Sequence, residues 1–521
     1  MRGAAAATRD RPKRVKALGS SKLWRRLRQT VQILALLLFL YLLLGAHQRD
    51  SLFLPDDLFF RLDPLAGISA MLASRSWMAP MALGGVTLLL TLAVGRAWCG
   101  WICPLGTLVD WMPARRLRRN GSGIPSYWRQ GKYFLLFVIL LAAALGGMTL
   151  LVLDPIALVF QTVGSVLLPG LSSRIAALEE WLYDFEALQP TVEWFDGLIQ
   201  DSPLAEQNFF LPSLLIALPF VVVLALNAIR PRFWCRYLCP LGGFLGLLAN
   251  VAQIRHSVDA EKCKPCQLCV SSCPTGAIDP ERRFAASAAE CTFCLDCLDI
   301  CPRGAISFRG QWGLVSNAPQ DPSRRRFLMS LGAAGVGAAL LWVFPFADKT
   351  KAQLVRPPGA NEEDLLSRCI RCGECVNVCP TDAIQPSHSA AELEALWEPR
   401  LVPRLGPCDY SCNSCGQVCP TGAIPNLALE EKRRTPIGIA RIDRERCIAW
   451  AEGRDCIVCE EMCPVPEKAI RVDERGRKGL HGATTPVFRP VVIEHLCIGC
   501  GICENRCPID GEAAIRVFPV D

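Results

Sequence analysis

All 28 cysteines of this 521-residue chain fall into two regular patterns, and none stands outside them. Six groups of four end in Cys-Pro. The other four cysteines form two Cys-x-x-x-Cys-Pro pairs, each just past an apolar stretch. Thiolates are soft ligands. Three of them at two-residue intervals let one tight loop hold three corners of an iron–sulfur cubane, with the fourth thiolate arriving from elsewhere. The proline after that fourth cysteine fixes φ and offers no N–H, which turns the chain away toward a partner cluster. Four runs share one spacing, while Cys408–Cys412 encloses three residues and Cys447–Cys456 eight; disulfide frameworks have no reason to repeat such a grouping six times. Tetrathiolate zinc sites use Cys-x-x-Cys pairs but lack the three-plus-one grouping closed by Pro. The chemistry indicated is one-electron transfer by six [4Fe-4S] clusters, roughly 24 iron atoms per chain.

The first block holds Cys263, Cys266, Cys269 and Cys273, then Cys291, Cys294, Cys297 and Cys301. This is the bacterial two-cluster spacing, in which the fourth Cys of each run serves the other cluster. One ligand set is then Cys263, Cys266, Cys269 and Cys301; the other is Cys291, Cys294, Cys297 and Cys273. Four further runs follow: Cys369, Cys372, Cys375 and Cys379; Cys408, Cys412, Cys415 and Cys419; Cys447, Cys456, Cys459 and Cys463; Cys497, Cys500, Cys503 and Cys507. An isoleucine recurs after each Cys-Pro, at Ile278, Ile306, Ile384, Ile424, Ile470 and Ile515. It reads as an apolar lid that lowers the dielectric around a cluster. Each lobe is too small to bury much core, so ligation supplies much of its folding energy.

The two remaining pairs sit in an internal repeat. Arg96-Ala-Trp98-Cys99-Gly-Trp-Ile-Cys103-Pro-Leu-Gly matches Arg232-Phe-Trp234-Cys235-Arg-Tyr-Leu-Cys239-Pro-Leu-Gly, each after the second member of a helix pair. The thiols of Cys99, Cys103, Cys235 and Cys239 admit three readings: one shared metal centre, two redox dithiols, or inert structural groups. Three residues between cysteines fits no standard cluster loop by itself.

Elements to position these groups come next. Hydrophobic residues make up 51% of the chain. Stretches 30–46, 77–94, 133–153, 209–229 and 327–346 approach the length required to cross a bilayer. Segment 155–171 is also apolar but carries Gln161, Gly164 and Pro169, and reads as re-entrant or interfacial. Net charge is +7 and segregated. Residues 1–28 hold ten Lys/Arg against Asp10 alone; with an apolar run directly after, this arm reads as a positive-inside signal rather than a nucleic-acid site. The 113–132 loop, with Arg115, Arg116, Arg118, Arg119, Arg129 and Lys132, is expected in the cytoplasm. The 154–208 loop, with nine acids against Arg174, is expected outside. Ser323-Arg324-Arg325-Arg326-Phe327-Leu328 before a Gly/Ala-rich apolar run looks like a twin-arginine export signal. It places residues 350–521 outside.

The five histidines, His47, His256, His388, His481 and His495, include none in a span with a facing partner, as axial haem ligation requires. There is no Cys-x-x-Cys-His, no Gly-x-Gly-x-x-Gly after a strand and no P-loop, so no nucleotide cofactor is expected. His47, Asp154 and Arg174 are candidates for proton exchange, with a solvated surface histidine the plainer reading of His47.

On the two Cys-x-x-x-Cys-Pro motifs, four spans and the two-cluster block, the first half resembles the NapH family of quinol dehydrogenase subunits. On the twin-arginine sequence and four cluster loops, the second half resembles the MauM/NapG family. The resemblance implies a natural fusion of the two. It implies a multi-domain fold: an α-helical transmembrane bundle plus two α+β ferredoxin-like domains. The expected divisions are a basic cytoplasmic arm (1–29), a four-helix membrane domain (30–255), a cytoplasmic two-cluster domain (256–310), a linker with the signal and a fifth helix (311–349), and a periplasmic four-cluster domain (350–521). It implies electron transfer from membrane quinol to a periplasmic acceptor such as a c-type cytochrome serving nitrate reductase, in a bacterial inner membrane. The alternative is a maturation or activation factor that supplies electrons to a periplasmic metalloenzyme. By the same analogy the first periplasmic run pairs with the last and the second with the third. Cys369, Cys372 and Cys375 then join Cys507; Cys497, Cys500 and Cys503 join Cys379; Cys408, Cys412 and Cys415 join Cys463; and Cys447, Cys456 and Cys459 join Cys419.

Overall fold

The computed structural model describes residues 23–48, 54–112, 126–199, 210, 213–310, 354–387, 395–478 and 484–520, with 332 and 335 in isolation. The twin-arginine sequence and almost all of the 327–346 stretch lie outside the described residues.

Two copies of one four-part unit build a helical layer. The first is α1 (Leu23–Gln48), α2 (Pro64–Ser74), α3 (Gly84–Val94) and a short pair, α4 (Ala97–Trp101) and α5 (Pro104–Trp111). The second is α6 (Gly131–Ala144), the run α7 (Pro155–Thr162) to α8 (Leu168–Tyr183), α9 (Ser213–Ile229), and the pair α10 (Phe233–Tyr237) and α11 (Pro240–Ala249). The Cys-Pro dipeptide splits each short pair. A residue before proline is driven out of the α region; Cys103 and Cys239 accordingly take ψ of 121° and 114°. The proline then occupies the first turn of the next helix, where no N–H is needed.

The repeat is longer than the Cys-x-x-x-Cys-Pro match. Leu62-Asp63-Pro64 and Leu153-Asp154-Pro155 each open the second helix of their unit. Asp63 Oδ1 accepts from the Leu65 and Ala66 N–H groups at 2.8 and 3.3 Å; Asp154 Oδ1 accepts from Ile156 and Ala157 at 2.8 and 3.4 Å. The units interlock: α2 packs on α11 and α7 on α5, while α1 packs on α4 and α5, and α6 on α11.

The layer is helical, with helices shorter than expected at three of the stretches. Among the described residues, two helical runs are long and apolar enough to cross a bilayer, Leu23–Gly45 and Pro155–Tyr183. The stretches at 77–94, 133–153 and 209–229 form shorter helices. Gly95 (φ 80°) and Gly146 (φ 89°) stop α3 and follow the end of α6. Segment 155–171, expected to be re-entrant or interfacial, begins the continuous run α7–α8. Pro169 has no N–H to donate, and the helix passes it through a π turn at Val163–Leu167.

Cysteine-rich lobes cover opposite ends of this layer. One closes with the antiparallel pair β1 (Ile254–Val258) and β2 (Ile306–Gly310). The other carries three such pairs: β3 (Ile384–Pro386) with β4 (Pro399–Leu401), β5 (Ile439–Ile442) with β8 (Ile515–Phe518), and β6 (Ile470–Lys478) with β7 (Thr484–Val492). Helix α1 touches both lobes. Arg28 Nη1 donates to the Cys294 carbonyl (3.2 Å) near its start, and the Leu43 carbonyl accepts from Asn377 Nδ2 (3.3 Å) near its end. At 1.5 Å per residue those points are about 22 Å apart along the axis.

Candidate metal centres

Cys99, Cys103, Cys235 and Cys239 are all buried and belong to one apolar core. Cys103 and Cys239 each lie within electrostatic reach of both Cys99 and Cys235. The repeats thus bring four thiols together rather than leaving two remote pairs. The arginine that opens each motif crosses to the other copy. Arg96 Nη2 donates to the Cys235 carbonyl (3.4 Å), and Arg232 Nη1 donates to the Cys99 carbonyl (3.1 Å). Arg232 is itself held by Asp110, at 2.6 and 2.5 Å. Gly242 N–H points at Cys239 Sγ, 3.2 Å away, at the start of α11. The indole Nε1 atoms of Trp98 and Trp234 are buried with no hydrogen-bond partner among the described residues. Buried donors left unmade are costly, and this symmetric pair suits an acceptor held between the two motifs.

The β1–β2 lobe is docked onto this centre. Gly100 lies so close that a Cβ there would sit 2.2 Å from the Thr292 carbonyl oxygen. Trp101 Nε1 donates to the Phe293 carbonyl (2.9 Å). Thr292 and Phe293 lie inside the Cys291 loop. Glu290, just before it, is 1% exposed and receives Lys132 Nζ at 2.7 Å and Arg96 Nη1 at 3.6 Å. Arg129 Nη2 adds a bond to the Gly276 carbonyl (2.7 Å). Sequence reading took Lys132 and Arg129 as loop charges. They are docking groups, a role visible only once a buried carboxylate faces them. Glu290→Ala leaves two buried cations without an anion and is expected to cost about 3–5 kcal/mol. Thermal unfolding of the variant, with limited proteolysis of the lobe, checks this.

The second lobe docks on the far face. Ile370 and Cys372 enter the same core as Phe39, Leu42 and Phe160. Gln161 Nε2 donates to the Arg371 carbonyl. Gly373 (φ +88°) lies against Gln161, where a Cβ would come within 2.9 Å of its Cγ. Arg371 and Arg356 both reach the fully buried Glu398, at 3.1 and 3.4 Å.

Cavities show which cysteines face one another. Cys291, Cys294, Cys297 and Cys273 line one, and Cys263 lies near Cys301 and Cys266. In the four-run lobe, Cys369, Cys372 and Cys375 line a cavity with Cys419. Cys415 neighbours Cys408, Cys412 and Cys379. Cys447, Cys456 and Cys459 share a cavity with Cys507, and Cys497, Cys500 and Cys503 share one with Cys463. The first run exchanges its last cysteine with the second, and the third with the fourth. The two halves then join where Cys408 N–H donates to the Cys500 carbonyl (2.8 Å). The reason is chain economy: each Cys-Pro crosses to the adjacent loop. Ile278, Ile424, Ile470 and Ile515 each line the cavity to which their own Cys-Pro crosses.

These sites fit a cluster better than a single ion. Zinc draws sulfurs to about 2.3 Å of one point, and among the described residues no three Cys, His, Asp or Glu side chains are placed to share one ion. Burial pushes the bare thiols up, Cys291 to about 11 and Cys294, Cys369 and Cys500 to about 12. A metal must displace those protons, so loading releases them.

A family model described as a 4Fe-4S binding domain matches residues 76–125 and 210–256, over the two Cys-x-x-x-Cys-Pro segments. A second of the same description matches 256–279 and 365–385. The methylamine utilization ferredoxin-type protein MauM of Methylorubrum extorquens is 37% identical over 214 residues, 39% of this chain and 91% of the relative. The ferredoxin-type protein NapG of Escherichia coli is 38% identical over 216 residues, 39% of this chain and 89% of the relative. The chain belongs to the MauM/NapG family of ferredoxin-type proteins. The ferredoxin-type protein NapH of Escherichia coli also matches, at 28% identity over 265 residues, 48% of this chain and 75% of the relative. No solved structure matches the chain. As a MauM/NapG-type protein it works by iron–sulfur electron transfer, and its likeness to NapH points to membrane association.

Proposed function

We propose that this chain joins a NapH-type quinol-oxidising half to a MauM/NapG-type half in one polypeptide. It takes electrons from quinol in a bacterial inner membrane and delivers them to a periplasmic acceptor, a c-type cytochrome or a reductase. The observation that carries the reading is the sandwich itself. A buried four-thiol centre lies in a helical layer whose opposite faces each receive a cysteine loop. The N-terminus and the β1–β2 lobe face the cytoplasm in this reading, and the four-run lobe faces the periplasm.

Six [4Fe-4S] clusters, when bound, supply one-electron storage and transfer. Their ligands are the 24 loop cysteines in the sets the cavities and neighbouring thiols define. The protein's own residues do the positioning. Gly100 and Gly373 permit close approach at the two docking faces, the crossed arginines Arg96 and Arg232 fix the first cysteine of each motif, and the isoleucine lids exclude water. The MauM and NapG relatives are equally similar, so the acceptor is defined here by chemistry and compartment.

Membranes containing the chain are given a reduced quinol analogue while cluster absorbance is followed. Bleaching with quinol alone is expected. Bleaching that appears only after a periplasmic metalloprotein client is added would favour a maturation factor instead.

A further inference from the structure

Each repeat sends one aspartate into the helical layer. Asp63 and Asp154 are 0% and 2% exposed. Oδ1 of each is occupied by the N–H groups of its own helix. Oδ2 of each has no donor among the described residues, yet the two carboxyl groups stand in side-chain hydrogen-bonding contact. Two ionised carboxylates do not share such a contact in an apolar core, because like charges at that range leave one group protonated. One proton between the carboxyls satisfies both Oδ2 atoms. Helix capping explains Oδ1 alone; Ser, Thr or Asn would serve as well there. A cap does not require a second carboxyl facing it from the other repeat. Asp154 also lies within electrostatic reach of Cys103 in the four-thiol centre.

We propose that Asp63 and Asp154 form a carboxyl pair sharing one proton, and that the pair takes the proton released when a hydroquinone hydroxyl gives an electron to the chain's oxidised [4Fe-4S] clusters. This rests on the quinol reading above. In the step, the hydroquinone O–H bond breaks. Its proton moves to the pair, which goes from one proton and net charge −1 to two protons and neutrality. The electron leaves for an oxidised [4Fe-4S] cluster of the chain, the one-electron acceptor of the reading above. A neutral semiquinone radical remains and gives up its second electron and proton by the same route, to a further oxidised cluster, once the pair has released its proton to solvent. The total is one quinone, two electrons and two protons.

The test uses the full chain in native membranes with two readouts. In infrared difference spectra between H2O and D2O, the wild type is expected to show a protonated-carboxyl C=O band that both Asp63→Asn and Asp154→Asn remove. Asn retains the capping oxygen, so loss of the band does not report loss of the cap. Quinol-driven reduction in either variant is expected to fall about 10²–10⁴-fold, with an altered solvent isotope effect, while dithionite reduction and iron content stay at wild-type values. Absence of the band in the wild type, or its persistence in both variants, overturns the pair. Wild-type quinol rates in both variants overturn its role. A wild type that shows the band yet takes no electrons from quinol leaves the shared proton standing and overturns the quinol step alone.

Discussion

Replacing Cys99 and Cys235 together with serine is expected to slow quinol-driven reduction by on the order of 100-fold or more. Dithionite should still reduce all six clusters at the normal rate. The two residues come from different repeats, yet each backbone carbonyl is held by the other repeat's arginine. Serine keeps those carbonyls and the Cys-Pro turns that build α5 and α11, so the scaffold survives while the thiol centre loses two of four sulfurs. Stopped-flow absorbance with a reduced quinol analogue measures the first quantity, and a dithionite control measures the second. A double variant reduced by quinol at the wild-type rate takes the Cys-x-x-x-Cys-Pro pairs off the electron path.

The second large effect concerns ligand pairing in the four-run lobe. Cys375 and Cys419 line one cavity. Cys375→Ser with Cys419→Ser should therefore remove a single cluster, leaving roughly 20 iron atoms per chain. Cys375→Ser with Cys507→Ser touches two cavities and should leave roughly 16. The pairing implied by resemblance gives the reverse pattern. Elemental analysis of the two double variants separates them. Both should also unfold at lower temperature than the parent, since small lobes draw folding energy from their clusters.

How far the sequence reaches depends on the range of the physics involved. Cluster loops were legible because a Cys-x-x-Cys-x-x-Cys turn is a local object, complete within ten residues. The β1–β2 lobe followed, since its two runs have only each other to exchange with. In the four-run lobe each fourth cysteine has three possible partners, and tertiary packing decides; the sequence alone did not show that Cys419 meets Cys369 and Cys507 meets Cys447. The repeat was legible at Cys99 and Cys235 but not at Asp63 and Asp154. A bare Asp-Pro looks like any helix start, although the preceding leucine, repeated in Leu62-Asp63-Pro64 and Leu153-Asp154-Pro155, was a usable signal. Hydropathy marked the apolar stretches without showing that the helix in 133–153 ends at Ala144, just before Gly146. Charge counting treated Lys132 as a loop cation, because nothing local announces Glu290 158 positions later.

The central claim is that the loop cysteines hold iron–sulfur clusters on both faces of the helical layer. Iron, acid-labile sulfide and free thiol are measured together on natively purified, anaerobic chain. Six cubanes give roughly 24 iron and 24 sulfide per chain with no disulfides. About half that iron accompanied by zinc, or the 16 cysteines of the four-run lobe oxidised in pairs and free of iron, would contradict the account.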